Sequence, residues 1–246
     1  MTQFFIDTAN FDEVWKAVET GITGVTTNPA IASKEEDSYF TLIEKISKIK
    51  ELKHISVEPL FFNRDDTIKD IVTFMKIDER IVIKCPPTMD GMGIANWCKN
   101  NRIRTNVTAV MSWPQADAIF KLGVDYISVF YGRVGDCGYD PISVIKDVMA
   151  MKRHEAVHSD KFQKDLKDMV SNYGNTSTYD IPEPIVPTKV IVGSIRGVYD
   201  VSCAITTLPD IITIPFKIYE KMLNHPKSIQ TIDEFNKLYK EKQNGK

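Results

Sequence analysis

A run of β-branched residues ends in a lysine at 81–84, Ile-Val-Ile-Lys, and Pro86 and Pro87 stop the chain just beyond. An ammonium group closing so apolar a run has two readings. Its stem can snorkel and carry the charge out to water. Alternatively the site withholds water, which lowers a lysine's pKa and leaves an amine able to attack a carbonyl. The resulting imine draws electrons, so a neighbouring carbon–carbon bond can break to give a stabilised enamine. One carboxylate must then take a proton from the hydroxyl of the departing fragment. Another must move protons while the carbinolamine dehydrates and the imine hydrolyses. Asp7 and Glu58 have the required chemistry, and each closes a short apolar run, QFFID and HISVE. Arg133 and Arg196, with Ser194, suit an anionic substrate tail such as phosphate.

Positioning these groups falls to eight β-rich runs, at 3–7, 24–27, 54–58, 81–84, 103–108, 126–130, 189–194 and 211–214. Amphipathic helical patterns separate them: FDEVWKAVE, SYFTLIEKISKIK, DDTIKDIVTFMK, MGIANWCKN, PQADAIFKL, PISVIKDVMAMK and GVYDVSCAI, with FKIYEKML after the last strand. The runs are too apolar for sheets wetted on one face, so they predict parallel strands under helices. Eight strand–helix units in 246 residues predict a single α/β domain, a (β/α)8 TIM barrel with an additional C-terminal helix. An open doubly wound sheet with fewer strands is the structural alternative. In such a barrel the chemistry sits at the strands' carboxyl ends. Those ends carry Asp7, Thr26–Asn28, Glu58, Lys84, Asn106, Thr108, Ser128 and Ser194, with Arg133 and Arg196 just beyond theirs. Period-2 alternation puts Lys84 on one face with Val82, Glu58 with Ser56, and Thr108 with Asn106. Taken singly, Asp7 and Asn28 read equally as turn or helix caps, and Thr108 and Ser128 as backbone partners. Their convergence on one mouth favours a site.

Two segments break the rhythm. From about 152 to 188 the chain is a polar excursion, with KFQKDLKDMV as a helix and then loop. The tail predicts a helix at about 231–243, its start marked by Thr231 with Asp233 and Glu234 behind it.

Composition removes several function classes. A net charge of −2 gives no basic field for nucleic acid or an acidic membrane surface, and no apolar run approaches a bilayer span. The four cysteines lack CxxC pairing and read as free thiols, and the N-terminus lacks a leader pattern, so a cytoplasmic protein is expected. His154 and His158 have helical i,i+4 spacing but lie in a charged stretch, so no metal is expected. The glycines of GMG at 91–93 fit neither GxGxxG nor P-loop spacing, so no nucleotide cofactor is expected.

Over almost its whole length the chain resembles the transaldolases and fructose-6-phosphate aldolases, above all their short members. The resemblance is carried, in order, by FIDTAN, GVTTNPAI, IVIKCP, TNVTAVMSWPQA, YISVFYGRV, VGSIRGVYDV and ITIPFKIYEKMLNHP. It implies a (β/α)8 barrel and a cofactor-independent Schiff-base mechanism. Matched by position, Lys84 falls on the imine-forming lysine and Asp7 on the acid/base for the C4 hydroxyl. Glu58 and Thr108 fall on the pair holding a proton-relay water. Asn28 and Ser128 fall on contacts to the dihydroxyacetone unit, and Arg133, Ser194 and Arg196 on the phosphate-binding positions.

Within that family the aldolases carry glutamine where this chain has Glu58 and tyrosine where it has Phe130, so both positions look transaldolase-like. Val129, where proline is usual, Trp113 and the long excursion depart from the short members. One branch transfers the same unit from 6-deoxy-6-sulfofructose, so the implied substrates are sugar phosphates or sulfonated ketoses. Short members form rings, often decamers built from pentamers, which implies a homo-oligomer.

Overall fold

The computed structural model describes residues 1–61, 63–153 and 188–244. Eight parallel strands close a barrel in sequence order: β1 (Gln3–Asp7), β2 (Gly24–Thr26), β3 (His54–Val57), β4 (Ile81–Cys85), β5 (Thr105–Val110), β6 (Tyr126–Phe130), β7 (Lys189–Gly193) and β8 (Ile211–Pro215). Closure is made by β1 against β8, with Phe5 opposite Thr213 and Asp7 opposite Pro215. The expected (β/α)8 barrel is therefore the fold, and the open-sheet alternative is excluded.

Helices follow the strands: α1 (Phe11–Glu19), α2 (Pro29–Ala32), α3 (Tyr39–Ser47), α4 (Arg64–Met75), α5 (Met89–Asn100), α6 (Trp113–Leu122), α7 (Tyr131–Asp136), α8 (141–153), α9 (Val198–Ile205) and α10 (Phe216–Leu223). Side-chain oxygens of Asn10, Ser38, Asn63 and Thr88 accept from the free N–H groups that open α1, α3, α4 and α5. Thr88 starts α5 three residues before the predicted pattern. The short helices α2 and α7 carry no periodic signal and were not expected. β5 runs two residues later than predicted, because its core-facing pattern continues through Val110.

The alternation of each strand divides the interior. Outward residues such as Ile6, Val25, Ile55, Ile83, Val107 and Val192 meet the helices in the main apolar core. Inward residues at the amino ends form a second, smaller plug of Phe5, Ile191 and Ile211 with Tyr126 packed on it. Gly24 makes room there, since a Cβ on it would lie 2.4 Å from the Phe5 ring. His54 completes the floor, its ring 4.8 Å from Phe5 and 4.7 Å from Tyr126.

The final helix, α11 (Pro226–Asn244), begins five residues before the expected start. Thr231 does not cap it: its hydroxyl donates to the Lys227 carbonyl, 2.8 Å away inside the helix. Pro226 starts the helix instead, its fixed φ suiting a first turn. Ile229, Ile232, Phe235, Leu238 and Tyr239 stand exposed along one side of α11. The expected excursion, its KFQKDLKDMV helix, His154 and His158 lie outside the described residues, apart from the flanking 152, 153 and 188. No helix among the described residues is long and apolar enough to cross a membrane.

Candidate active site

Lys84 sits one residue from the end of β4, opposite Asn106 of β5, and is 4% exposed. It does not snorkel. Its Nζ donates to the Thr27 carbonyl at 2.9 Å and lies 3.0 Å from Glu58 Oε2. Glu58, just past β3, keeps about a quarter of its side chain exposed. An ammonium or amine so far from water needs both partners, since an unpaired buried polar group is costly.

Asp7, at the end of β1, accepts from the Thr26 hydroxyl at 2.6 Å, and Thr26 also meets Thr213 Oγ1 at 2.6 Å. Burial pushes the Asp7 carboxyl above the ordinary carboxylate range; Lys84 and the Thr26 hydrogen bond oppose that shift without cancelling it. Asp7 caps no helix, for Asn10 takes that place on α1. Asn28 has both proposed parts: its Oδ1 caps α2 by accepting from the Ile31 N–H at 2.9 Å, and it lines the cleft.

Behind these groups runs a polar ladder across the strands. Ser128 donates to Asn106 Oδ1 at 2.8 Å, Asn106 Nδ2 reaches Ser56 Oγ at 3.4 Å, and Ser56 pairs with His54 Nε2 at 2.6 Å. Thr108 differs. Its Oγ1 is buried and makes no hydrogen bond among the described residues. Beside it Ala109 has φ +59° at a bulge where the β5–β6 register shifts between Val107 and Val110. Ser194 likewise has φ +58°. Left-handed backbone at a non-glycine residue is costly, and here it re-aims the chain at two strand ends beside the cleft.

The cleft is about 300 Å³. Asp7, Thr26, Asn28, Lys84, Asn106, Thr108, Ser128, Phe130, Arg133 and Ser194 are all among its lining. Of the residues singled out from sequence, only Glu58 and Arg196 are not among its lining. Glu58 joins through its ion pair with Lys84. Arg196 is turned to Asp136 on α7, with hydrogen bonds of 2.7 and 2.5 Å, and both side chains are about half exposed. That pair holds Asp136 below the usual carboxylate range. Gly132 lets α7 approach: its N–H donates to the Ser194 carbonyl at 3.1 Å, and a Cβ there would meet Arg196 at 2.6 Å.

Sequence reasoning missed several contributors or the part they play. Thr213 lines the cleft from the next-to-last inward position of β8, where the strand-end rule could have found it. Lys34 and Ile31 enter from the unpredicted α2 and the turn after it. Thr27 acts through its main-chain carbonyl, which no residue-type pattern reveals.

A buried lysine held by a carboxylate, with a second carboxylate lining the same polar cleft, has the parts for imine chemistry on a carbonyl substrate. Comparison with known proteins agrees in kind. Residues 4–245 match the Transaldolase/Fructose-6-phosphate aldolase family. The "Probable transaldolase 1" of Listeria monocytogenes is 34% identical over 235 residues, 95% of either chain. The "Probable transaldolase" of Desulforapulum autotrophicum is 32% identical over 243 residues, 98% of this chain and 99% of that one. That of Thermodesulfovibrio yellowstonii is 34% identical over 236 residues, 96% of each. With a match of that extent over a closed (β/α)8 barrel, the chain belongs to the transaldolase/fructose-6-phosphate aldolase family.

Proposed function

We propose that this protein is a transaldolase that moves a dihydroxyacetone unit from a ketose with an anionic C6 group to an aldose phosphate, through a Schiff base on Lys84. The observation that carries the reading is Lys84 Nζ, buried against the cleft 3.0 Å from Glu58 Oε2. Nζ adds to the C2 carbonyl of the donor. The carbinolamine then loses its hydroxyl as water, with Glu58 and Thr108 moving protons through a relay water. The Thr108 hydroxyl, buried and without a hydrogen bond among the described residues, supports that part. Asp7 takes the C4 hydroxyl proton, the C3–C4 bond breaks, and its electron pair passes into the enamine with the iminium as sink. An aldehyde leaves, an acceptor aldehyde enters, and the steps reverse. The protein's own lysine supplies the electron sink, so the route calls for no cofactor or metal.

Asn28, Asn106 and Ser128 would bind the dihydroxyacetone hydroxyls, with Thr26 and Phe130 shaping the cleft. Arg133 and Ser194, joined by Arg196 from the rim, would hold the phosphate or sulfonate. Burial raises the Asp7 carboxyl's pKa, which makes it a stronger proton acceptor once ionised. The enzyme is read as a cytoplasmic homo-oligomer, the exposed apolar side of α11 supporting contact with a second copy.

Borohydride added with fructose 6-phosphate is expected to fix a three-carbon adduct on Lys84, found by peptide mass. An adduct on another lysine, or none with either the phosphorylated or the sulfonated ketose, would sink the mechanism. Donor turnover is expected to depend on erythrose 4-phosphate or glyceraldehyde 3-phosphate. Release of free dihydroxyacetone regardless of acceptor would make the protein an aldolase instead. Light scattering at the monomer's 28.0 kDa would refute the oligomer.

A further inference from the structure

Tyr39 opens α3, away from the cleft lining, yet its hydroxyl lies between the two groups that hold Lys84. The Glu58 backbone N–H donates to Tyr39 Oη at 3.0 Å. Tyr39 Oη meets Thr27 Oγ1 at 2.7 Å, and Thr27 Oγ1 donates to the Ser56 carbonyl at 2.8 Å. The direction of every link is fixed by counting protons. An N–H can only donate, so Tyr39 accepts from Glu58. The threonine's one proton goes to Ser56, so the tyrosine's one proton goes to Thr27. The result is a directed chain from Glu58 to Tyr39 to Thr27 to Ser56. Burial holds the Tyr39 hydroxyl well above the ordinary phenol range, so the proton this chain needs stays in place. The ring is packed independently, edge-on to Phe74 with centroids 5.5 Å apart.

The chain's two residues next to Lys84 are its partners. The Thr27 carbonyl and the Glu58 carboxylate lie 2.9 and 3.0 Å from Nζ. A neutral amine has two hydrogens and one lone pair. With both hydrogens committed to these acceptors, the lone pair has one direction left, in a side chain that lines the cleft. We propose that Tyr39 is a positioning residue for the nucleophile: its hydroxyl ties the end of β3 to the turn after β2, so that Glu58 and Thr27 aim the Lys84 lone pair. The inference rests on the reading of Lys84 as the imine-forming lysine.

Tyr39→Phe removes the hydroxyl and keeps the ring on Phe74. Adduct formation with fructose 6-phosphate, timed by borohydride quench, is expected to slow about tenfold, the effect of one buried group left unpaired, while KM changes less than twofold. Thr27→Val breaks the same chain from its other end and is expected to slow the step similarly. The double variant should be no slower than the slower single, because both remove one device. Thr27→Ser, which keeps the hydroxyl, is expected to restore the rate. Equal adduct rates in Tyr39→Phe and the parent, with only a lowered Tm, would overturn the proposal by making the hydroxyl structural. Additive losses in the double variant would overturn it too. A parent that forms no adduct fails differently, for it removes the lysine mechanism itself.

Discussion

The two ends of the barrel interior are built from the same strands, two residues apart, and differ in almost every side chain. At the amino end Phe5, Gly24, His54, Val82, Tyr126, Ile191 and Ile211 point inward. At the carboxyl end the same strands offer Asp7, Thr26, Ser56 with Glu58 beyond, Lys84, Ser128, Gly193 and Thr213. The floor buries rings and branched chains, which gain from leaving water. The mouth buries an amine, hydroxyls and an amide, which gain only if each finds a partner. Stability and chemistry are thereby separated along one axis. His54 is the exception, a titratable ring in the floor with one nitrogen, Nδ1, unpartnered among the described residues.

That contrast is broken most severely at Lys84. Replacing it with methionine is expected to lower turnover roughly 10³-fold or more and abolish the adduct. Unfolding should occur no earlier than in the parent, because the mouth is not what holds the barrel shut. A melting point that fell with activity would erase the distinction. Asp7→Asn comes next, with kcat expected to fall about 10²-fold or more while the ketose still binds. Because burial raises the Asp7 pKa, the acid limb of kcat in the parent should lie above the usual carboxylate range. The raised value also means that its ionised form opposes folding above the unfolded pKa. The variant should therefore lose no stability at pH 7, as denaturant titration can establish.

At the floor the prediction is thermodynamic. Burial, helped by the charges of Arg104 and Lys189, pushes His54 down to about 3 from its ordinary 6.5. Below 6.5 the unfolded chain takes up a proton that the folded chain refuses, so stability falls as pH drops toward 3. The slope is about 1.4 kcal/mol per pH unit, or roughly 2 kcal/mol lost between pH 6.5 and 5. Urea titrations of the parent and His54→Gln at pH 7.5 and 5 would measure it; an equal loss in both would acquit the histidine. The smallest effect belongs to the exposed rim. Asp136→Asn frees Arg196 and is expected to lower KM for an anionic ketose about two- to threefold at low salt, the gain fading as salt is added. An unchanged KM would leave Arg196 outside the anion site.

Much of the mouth was legible because of two regularities. Parallel strands buried on both faces read as unbroken apolar runs, so all eight could be found by composition. A polar residue at the end of one such run has ordinary structural uses, but several at successive strand ends do not, so Lys84, Asp7 and Asn106 stood out by their joint placement. The misses have physical causes. Four residues suffice for α2, too few to show a helical period, and with it Lys34 was lost. Asp233 and Glu234 resemble a helix start behind Thr231, but Pro226 upstream already satisfies one, and the helix takes the earlier point. The expected anion contact of Arg196 came with no hint of its ion pair, because nothing near it in sequence announces Asp136, which α7 brings round from 60 residues away.

By itself, then, the sequence determined the order of strands and helices, the apolar floor and the kinds of polar group at the strand ends, since these follow from local periodicity. Only the tertiary structure decided which of those groups meet. Glu58 and the Thr27 carbonyl reach Lys84 because β2, β3 and β4 pair in one register and the barrel closes through β1 and β8. Those pairings join residues far apart in the chain, and a shift of one residue would turn Lys84 out of the cleft and into the layer beneath the helices.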